Sequence, residues 1–228
     1  GEGGALLFAR PLLREMLQIA LPVTLQQLIV SVGNVFIQAN VNRFGSGVSA
    51  GYGAVIKLNN LGISALMAFD KGMATFAAQN GAQKPERIRS GRNGTILLSV
   101  MFALSVAAVF YLFRAELLGL FLRGGSLAAM ETGEQFFRIV LPFYLFVSVK
   151  IACDGMLRGL ADMRRLLIGT FVDLSLRVGC GFLFSALWGS VGIWAAWPVG
   201  WVTGTALSLL FTAKWFRMDR NTETPIQP

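Results

Sequence analysis

Long apolar stretches alternate with short polar connections along most of the chain. A helix of about 20 apolar residues spans the roughly 30 Å hydrocarbon core of a bilayer, and six stretches are long enough. The predicted helices cover residues 16–41, 53–80, 94–114, 135–157, 165–187 and 190–214. A short amphipathic lead, 1–15, precedes them, and a polar tail, 215–228, follows them. The pattern therefore predicts an all-α integral membrane protein that folds as a bundle of six transmembrane helices.

Composition removes most classes of enzyme from consideration. Of the 228 residues, 54% are hydrophobic and 14% are charged, whereas about a quarter are charged in typical soluble domains. The chain has no histidine, and its two cysteines, Cys153 and Cys180, lie far apart in apolar runs. It therefore lacks the residues of a Ser–His–Asp triad, a His-containing zinc site or a Cys/His metal cluster. We expect neither an enzyme nor a bound metal or cofactor.

Basic residues are distributed unevenly between the two sets of connections. The net charge is +8, but the basic residues fall in short clusters between apolar segments, which favours membrane topology over nucleic-acid binding. One set of connections carries Arg10, Arg14, Lys84, Arg87, Arg89, Arg92, Arg158, Arg164, Arg165, Lys214, Arg217 and Arg220, and the opposite set carries Arg43, Arg114 and Arg123. Because basic residues in short loops stay in the cytoplasm, both termini are predicted to be cytoplasmic.

Polar side chains follow one face of the first predicted helix. They recur every three or four residues, as Thr24, Gln27, Ser31, Asn34 and Gln38. One interpretation is a water-filled cavity in which these amides and hydroxyls contact a solute. The alternative is a sealed bundle in which they hydrogen-bond to neighbouring helices.

The second predicted helix carries charges at membrane depth. Asp70 and Lys71 are adjacent, so their side chains point about 100° apart on a helix and do not simply neutralise each other. Asn60, Ser64 and Lys71 share one face, which again suggests a polar lumen. Because ionisable residues inside the membrane are costly, they are usually paired or functional.

Two further pairs of opposite charge lie on the fourth and fifth predicted helices. Lys150 and Asp154, and likewise Asp173 and Arg177, are four residues apart, a spacing at which side chains meet. Each pair is either an internal ion pair that makes insertion less costly or a site where the aspartate exchanges a proton or cation. Neither pair has a third group that would suggest catalysis.

The sixth predicted helix combines small and aromatic residues. Ala196, Gly200, Gly204 and Ser208 recur every four residues and predict close helix packing. Trp201, deeper in the span, is a candidate to stack against a flat or cationic solute, or a residue of the aromatic belt. Trp194 is expected at the membrane interface. Pro142, inside the fourth predicted helix, is expected to kink it.

Three segments occur in an informative order: FDKGMATFAAQNGAQKPERI at Phe69–Ile88, GMLRGLADMR at Gly155–Arg164 and GIWAA at Gly192–Ala196. Together they resemble the carboxy-terminal half of the MATE (multidrug and toxic compound extrusion) transporters, and the resemblance runs from about Pro11 to Trp215. It implies one six-helix lobe of a twelve-helix transporter with a central cleft. It also implies antiport driven by Na⁺ or H⁺, with alternating access and export of small amphipathic or cationic compounds across the cell membrane.

The resemblance leaves the coupling acid open. Some members carry an acid on the first helix of this lobe and another before the Gly-x-Leu-Arg-Gly motif, but the regions around Val30 and Val147 have none. The coupling acid is therefore either in the other lobe or one of Asp70, Asp154 and Asp173.

The remaining alternatives concern what the lobe does and what completes it. The other lobe is expected to be an amino-terminal segment of the same transporter or a second copy in a homodimer; the chain lacks an initiating Met, which is consistent with a longer protein. Competing functions are a lipid-linked oligosaccharide flippase, which should have a larger basic cavity, and a non-transporting fragment or assembly subunit.

Overall fold

The computed structural model describes residues 10–81, 84–122 and 126–222, and helices account for nearly all of them. The helices are α1 Arg10–Asn42, α2 Ser46–Asn80, α3 Pro85–Leu112, α4 Arg114–Phe121, α5 Leu127–Val140, α6 Tyr144–Gly159, α7 Met163–Trp188 and α8 Ser190–Thr222. Most of the predicted amphipathic lead and the last six residues of the predicted tail lie outside the described residues. The first half of that tail is part of α8, so helix continues past residue 214.

The fourth predicted helix is two helices joined by a tight turn. The turn is a single 3₁₀ segment, Leu141–Phe143, between α5 and α6. Pro142 lies inside it and has no backbone N–H to donate, so the α-helical hydrogen bonds are interrupted where the kink was expected. The helical segment begins at Leu127 rather than at residue 135, and α4 was not predicted.

Among the described residues, five helical segments are long and apolar enough to cross a membrane: Ala20–Asn42, Pro85–Leu112, Leu127–Gly159, Met163–Trp188 and Ser190–Met218. Helix α2, with 35 residues, is also long enough to span a membrane, but its composition is more polar than that of these five segments. It packs along α3, α5 and α6, so it crosses the bundle beside spans that do qualify.

The core at one end of the bundle is aromatic. Trp194 of α8 is fully buried, and its ring stacks on Tyr52 of α2 with centroids 5.3 Å apart. Phe136 of α5 meets the edge of both Trp194 and Trp197. The expectation that Trp194 belongs to an interface belt was therefore wrong, because α2 and α5 cover this part of α8.

Glycines bring α6 against α2. A Cβ at Gly155 or Gly159 would collide with the backbone carbonyl oxygens of Asp70 and Ala74. The two helices therefore touch backbone to backbone, as small residues allow in membrane bundles. This contact sets Arg158, which lies between the two glycines, beside the part of α2 that carries Asp70.

Helix α1 lies at the margin of the bundle and packs mainly on α7. Two buried amides fasten it there: Gln26 donates to Thr170 Oγ1 at 2.9 Å, and Asn40 donates to Ser185 Oγ at 3.1 Å. Much of the remaining surface of α1 is exposed, both polar and apolar.

Candidate functional site

A polar cavity of about 350 Å³ opens between α1, α2, α6, α7 and α8. Nine of the residues singled out from the sequence line it: Gln27, Asn34, Asn60, Asp70, Lys150, Asp154, Asp173, Arg177 and Trp201. Val30 and Val147, the two regions without an acid, also line it. The cavity thus gathers side chains that are far apart in the sequence.

Lys150 joins the two predicted ion pairs into one network. Its Nζ lies 2.6 Å from Asp154 Oδ2 on the same helix and 4.0 Å from Asp173 Oδ2 on α7. Arg177 donates to the other oxygen of Asp173 at 2.8 Å. Ser208 of α8 donates to Asp154 Oδ1 at 2.6 Å. Three helices therefore share a buried cluster of two carboxylates and two cations, and each carboxylate is held at both oxygens.

The small residues of α8 make room for this network. A Cβ at Gly200 would lie 2.5 Å from Asp173 Oδ1, and one at Gly204 would lie 2.9 Å from Lys150 Cε. Ser208, one turn further, supplies the hydroxyl that reaches Asp154. The four-residue repeat predicts close helix packing, and the surface that Gly200, Gly204 and Ser208 contact is the charged cluster.

Two tryptophans of α8 flank the cluster. The guanidinium of Arg177 lies 4.7 Å from the ring centroid of Trp197 and 5.9 Å from that of Trp201. Trp201, proposed from sequence as a platform for a cationic solute, thus already has a cation from its own chain nearby. The indole N–H of Trp197 and the Nε–H of Arg177 are buried and have no acceptor among the described residues.

A second ion pair closes another part of the cavity. Arg158 Nη1 contacts Asp70 Oδ2, and Arg158 Nη2 donates to Gln26 Oε1 at 3.2 Å. Lys71, the adjacent basic residue and the candidate charge partner on the same helix, is exposed and forms no ion pair with Asp70, in line with side chains that point about 100° apart. The adjacent side chain points away around the helix, while Arg158 reaches Asp70 across the α2–α6 contact.

Four predicted residues lie away from the cavity lining. Thr24, Ser31 and Ser64 are exposed, and Gln38 is half-buried and donates to Asn42 Oδ1 at 2.8 Å. They lie on the α1 and α2 surfaces that carry the cavity residues Gln27 and Asn60. Their role in lining a wider cleft stays a prediction.

Sequence reasoning missed four polar residues of the cavity lining: Gln26, Asn59, Arg158 and Thr170. Gln26 and Asn59 directly precede residues that were chosen, so the polar dipeptides Gln26-Gln27 and Asn59-Asn60 were a usable signal. Asn59 is buried and accepts a hydrogen bond from Tyr144 Oη at 3.0 Å. Arg158 was counted as a loop charge, although its place between two glycines in α6 could have indicated a helix contact.

The cavity is balanced in charge. Its described lining contains three carboxylates, on Asp70, Asp154 and Asp173, and three cations, on Lys150, Arg158 and Arg177. Across the described residues, no cluster of three or more His, Cys, Asp or Glu side chains could hold a metal ion.

The family profile described as MatE matches residues 22–183, which cover well over half of the chain. The chain belongs to the MatE family. Among curated relatives it is 26% identical over 212 residues to the probable multidrug resistance protein YpnP of Bacillus subtilis, covering 91% of this chain and 47% of that protein. It is 22% identical to the probable multidrug resistance protein NorM of Thermotoga maritima, covering 89% and 44%.

Solved structures show the same fold. A MATE crystal structure in the bent conformation superposes with a TM-score of 0.85 at 19% identity, covering 96% of this chain and 49% of that one. An outward-facing multidrug resistance MATE transporter of the MOP superfamily gives 0.85 at 20% identity, covering 93% and 48%. An inward-facing one gives 0.84 at 19%, covering 95% and 51%.

The chain spans about half the length of the relatives it matches. Its predicted fold class, an all-α integral membrane bundle corresponding to one lobe of a MATE transporter, is confirmed. As a MatE protein it is a multi-pass membrane protein, and the relatives it matches are transporters rather than enzymes.

Proposed function

We propose that this chain is one lobe of a multidrug efflux antiporter, in which the cavity contacts the exported compound and its aspartates respond to Na⁺ or H⁺. The observation that carries the proposal is Lys150, whose ammonium lies between Asp154 and Asp173 at the wall of the cavity. An ammonium held by two carboxylates occupies the kind of position that a coupling cation would take. The family match supports a transport role for this geometry.

The proposed coupling step is an exchange of cations at the carboxylates. A Na⁺ ion or a proton that binds Asp154 or Asp173 would compete with Lys150 and loosen the bonds that tie α6 to α7. A ligand can shift a conformational equilibrium only by the difference in its affinity for the two states. In this proposal, the affinity of the carboxylates for a cation differs between conformations, because the distances within the network depend on how α6, α7 and α8 are placed.

The solute is proposed to bind in the part of the cavity nearer α1 and α2. Gln27, Asn34 and Asn60 offer amide groups beside the apolar side chains of Val30 and Ile63. This mixture of apolar surface and a few polar groups suits small amphipathic compounds.

A second six-helix lobe is proposed to complete the cleft, either in a longer chain or as a second copy of this one. The exposed polar side chains of α1 and α2, including Thr24, Ser31 and Ser64, support this proposal because they would otherwise face lipid. A strictly monomeric 228-residue protein, by detergent-corrected mass, would eliminate the homodimer. The protein is proposed to lie in the cell membrane with both termini in the cytoplasm.

A flippase for a lipid-linked oligosaccharide was expected to have a larger, basic cavity. The described lining instead balances three acids with three bases, so no observation favours that function. The remaining alternative, a non-transporting subunit, differs from the proposal in the experiment below.

Efflux of a fluorescent organic cation from vesicles under imposed Na⁺ or H⁺ gradients tests the proposal. Replacing Asp70, Asp154 and Asp173 singly by Asn should abolish gradient-driven efflux in at least one variant. Glu131→Gln, which alters an exposed carboxylate, should leave efflux unchanged. Coupling that survives in all three Asn variants would remove this lobe from the cation mechanism, and no efflux by the unaltered protein with both lobes present would favour the non-transporting subunit.

A further inference from the structure

A basic pocket lies between the beginning of α3 and the end of α8, apart from the charged cavity. It has a volume of about 200 Å³ and is lined by Arg89, Arg92, Ala213, Phe216 and Arg217. Within the described part of the chain, no carboxylate lies within 4.0 Å of any of these three guanidinium groups. Among the described side chains, the positive charge of this pocket is therefore not balanced by a carboxylate.

Arg92 is fixed at the inner wall of this pocket. Its guanidinium lies 5.0 Å from the ring centroid of Phe216, and its Nη1 donates to Thr212 Oγ1 at 3.3 Å. Its Nη2 donates to Asn93 Oδ1 at 2.8 Å. The side chain is half-buried, whereas Arg89 and Arg217 are exposed at the rim. A preorganised arginine beside two exposed ones is well suited to hold a phosphate group, since guanidinium donors match phosphate oxygens.

An apolar groove continues from the pocket along α8. It has a volume of about 520 Å³ and is lined by Leu210, Phe211, Ala213, Lys214, Arg217 and Met218. Ala213 and Arg217 belong to both the groove and the pocket. Leu210 is 63% exposed, and it lies in a segment that is apolar enough to span a membrane. An exposed apolar surface in such a segment is suited to contact acyl chains.

We propose that the groove and the pocket together bind one anionic phospholipid, with the phosphate among Arg89, Arg92 and Arg217 and an acyl chain along α8. Charge complementarity selects the headgroup, because basic pockets between transmembrane helices attract anionic lipids. The adjoining apolar groove distinguishes a lipid from a free phosphate ion, because a phosphate ion has no acyl chain to occupy the groove. The inference does not depend on the proposed transport cycle.

Native mass spectrometry of the protein in a neutral, lipid-free detergent tests this site. Phosphatidylglycerol and phosphatidylcholine with the same acyl chains are added in equal amounts, and the lipids retained on each protein are counted. The unaltered protein should retain one phosphatidylglycerol in strong preference to phosphatidylcholine. Equal retention of the two lipids would overturn the proposal.

Two double variants separate the pocket from general attraction to basic surface. R89Q/R217Q removes both rim charges, and K84Q/R87Q removes two exposed charges from the same end outside the pocket lining. The first should weaken phosphatidylglycerol binding by about tenfold or more, and the second by less than about twofold. All four residues are exposed, so both variants should fold. An equal loss in the two variants would overturn the specific site.

A second comparison tests the acyl groove and a free anion. Leu210→Gln should weaken phosphatidylglycerol retention several-fold, whereas Leu104→Gln, at an exposed leucine of α3, should not. Inorganic phosphate at millimolar concentration should displace little lipid. Complete displacement by phosphate, together with no effect of Leu210→Gln, would show an anion site rather than a lipid site and overturn the proposal.

Discussion

Lys150 of α6 reaches across to Asp173 of α7, with its Nζ 4.0 Å from Oδ2. This contact turns two short-range ion pairs, one on each helix, into one network. A buried charge is tolerated only while its partners remain, so the network makes the positions of α6, α7 and α8 depend on one another.

Removing Lys150 should destabilise the lobe more than removing either aspartate that it serves. Lys150→Met leaves Asp154 and Asp173 with one fewer cation, and breaking a buried pair in this way costs about 3–5 kcal/mol. Thermal unfolding in detergent measures the loss. Lys57→Met, at an exposed lysine, is the control and should change stability by less than about 0.5 kcal/mol. K150M/D154N should recover part of the stability; no recovery would contradict the pairing.

The glycines of α8 should tolerate no side chain beside the network. Gly200→Ala would place a Cβ 2.5 Å from Asp173 Oδ1, and relieving the overlap should cost about 1–3 kcal/mol. Gly94→Ala, in α3, meets nothing within 4 Å and should gain roughly 0.5–1 kcal/mol from helix propensity. Equal effects of the two alanines on the unfolding temperature would argue against the close contact.

The pair of Asp70 and Arg158 should show strong coupling in a double-mutant cycle. Arg158→Gln leaves the buried Asp70 carboxylate without its cation and should cost roughly 3 kcal/mol. D70N/R158Q removes both charges and should be more stable than R158Q alone. Arg164→Gln, at an exposed arginine in the same motif, provides the matched control. Purely additive losses in D70N/R158Q would mean that the two side chains do not interact.

Asn60 and Ser64 lie one turn apart on α2, but only Asn60 lines the cavity. If the cavity binds the solute, Asn60→Ala should weaken the binding of a fluorescent cation about fivefold, the loss of roughly one hydrogen bond. Ser64→Ala should leave affinity unchanged if binding is confined to the cavity. An equal loss in both variants would extend the solute site onto the exposed face of α2. No loss of affinity in Asn60→Ala would contradict the prediction, because Asn60 would then not contact the solute.

Local spacing was enough to predict the helical fold and half of the network. The pairs of Lys150 with Asp154 and of Asp173 with Arg177 follow from a four-residue separation, which fixes side-chain proximity within a helix. Lys150 with Asp173 and Arg158 with Asp70 could not be predicted in this way, because they depend on which helices become neighbours. The kink at Pro142 was predictable because proline acts through its own backbone.

The polar face of α1 illustrates the same limit. Its periodicity correctly grouped Gln27 with Asn34, but it could not say that Gln26, one position earlier, would point inward to Thr170 and Arg158. The prediction for Trp194 was wrong for a related reason. A tryptophan near the end of a span is typical of the membrane interface, and only the packing of α2 and α5 against it determines that it is buried.

Close contact between the α8 backbone and the carboxylate of Asp173 has a mechanical consequence. With glycine at positions 200 and 204, no α8 side chain lies between its backbone and the side chains of Asp173 and Lys150, so a small sliding movement of that helix acts on these two residues first. A displacement of about one ångström would compress or open the contacts of Asp173 and Lys150 directly, since packed interiors transmit strain. The position of α8 thus helps to set the distances within the charged cluster.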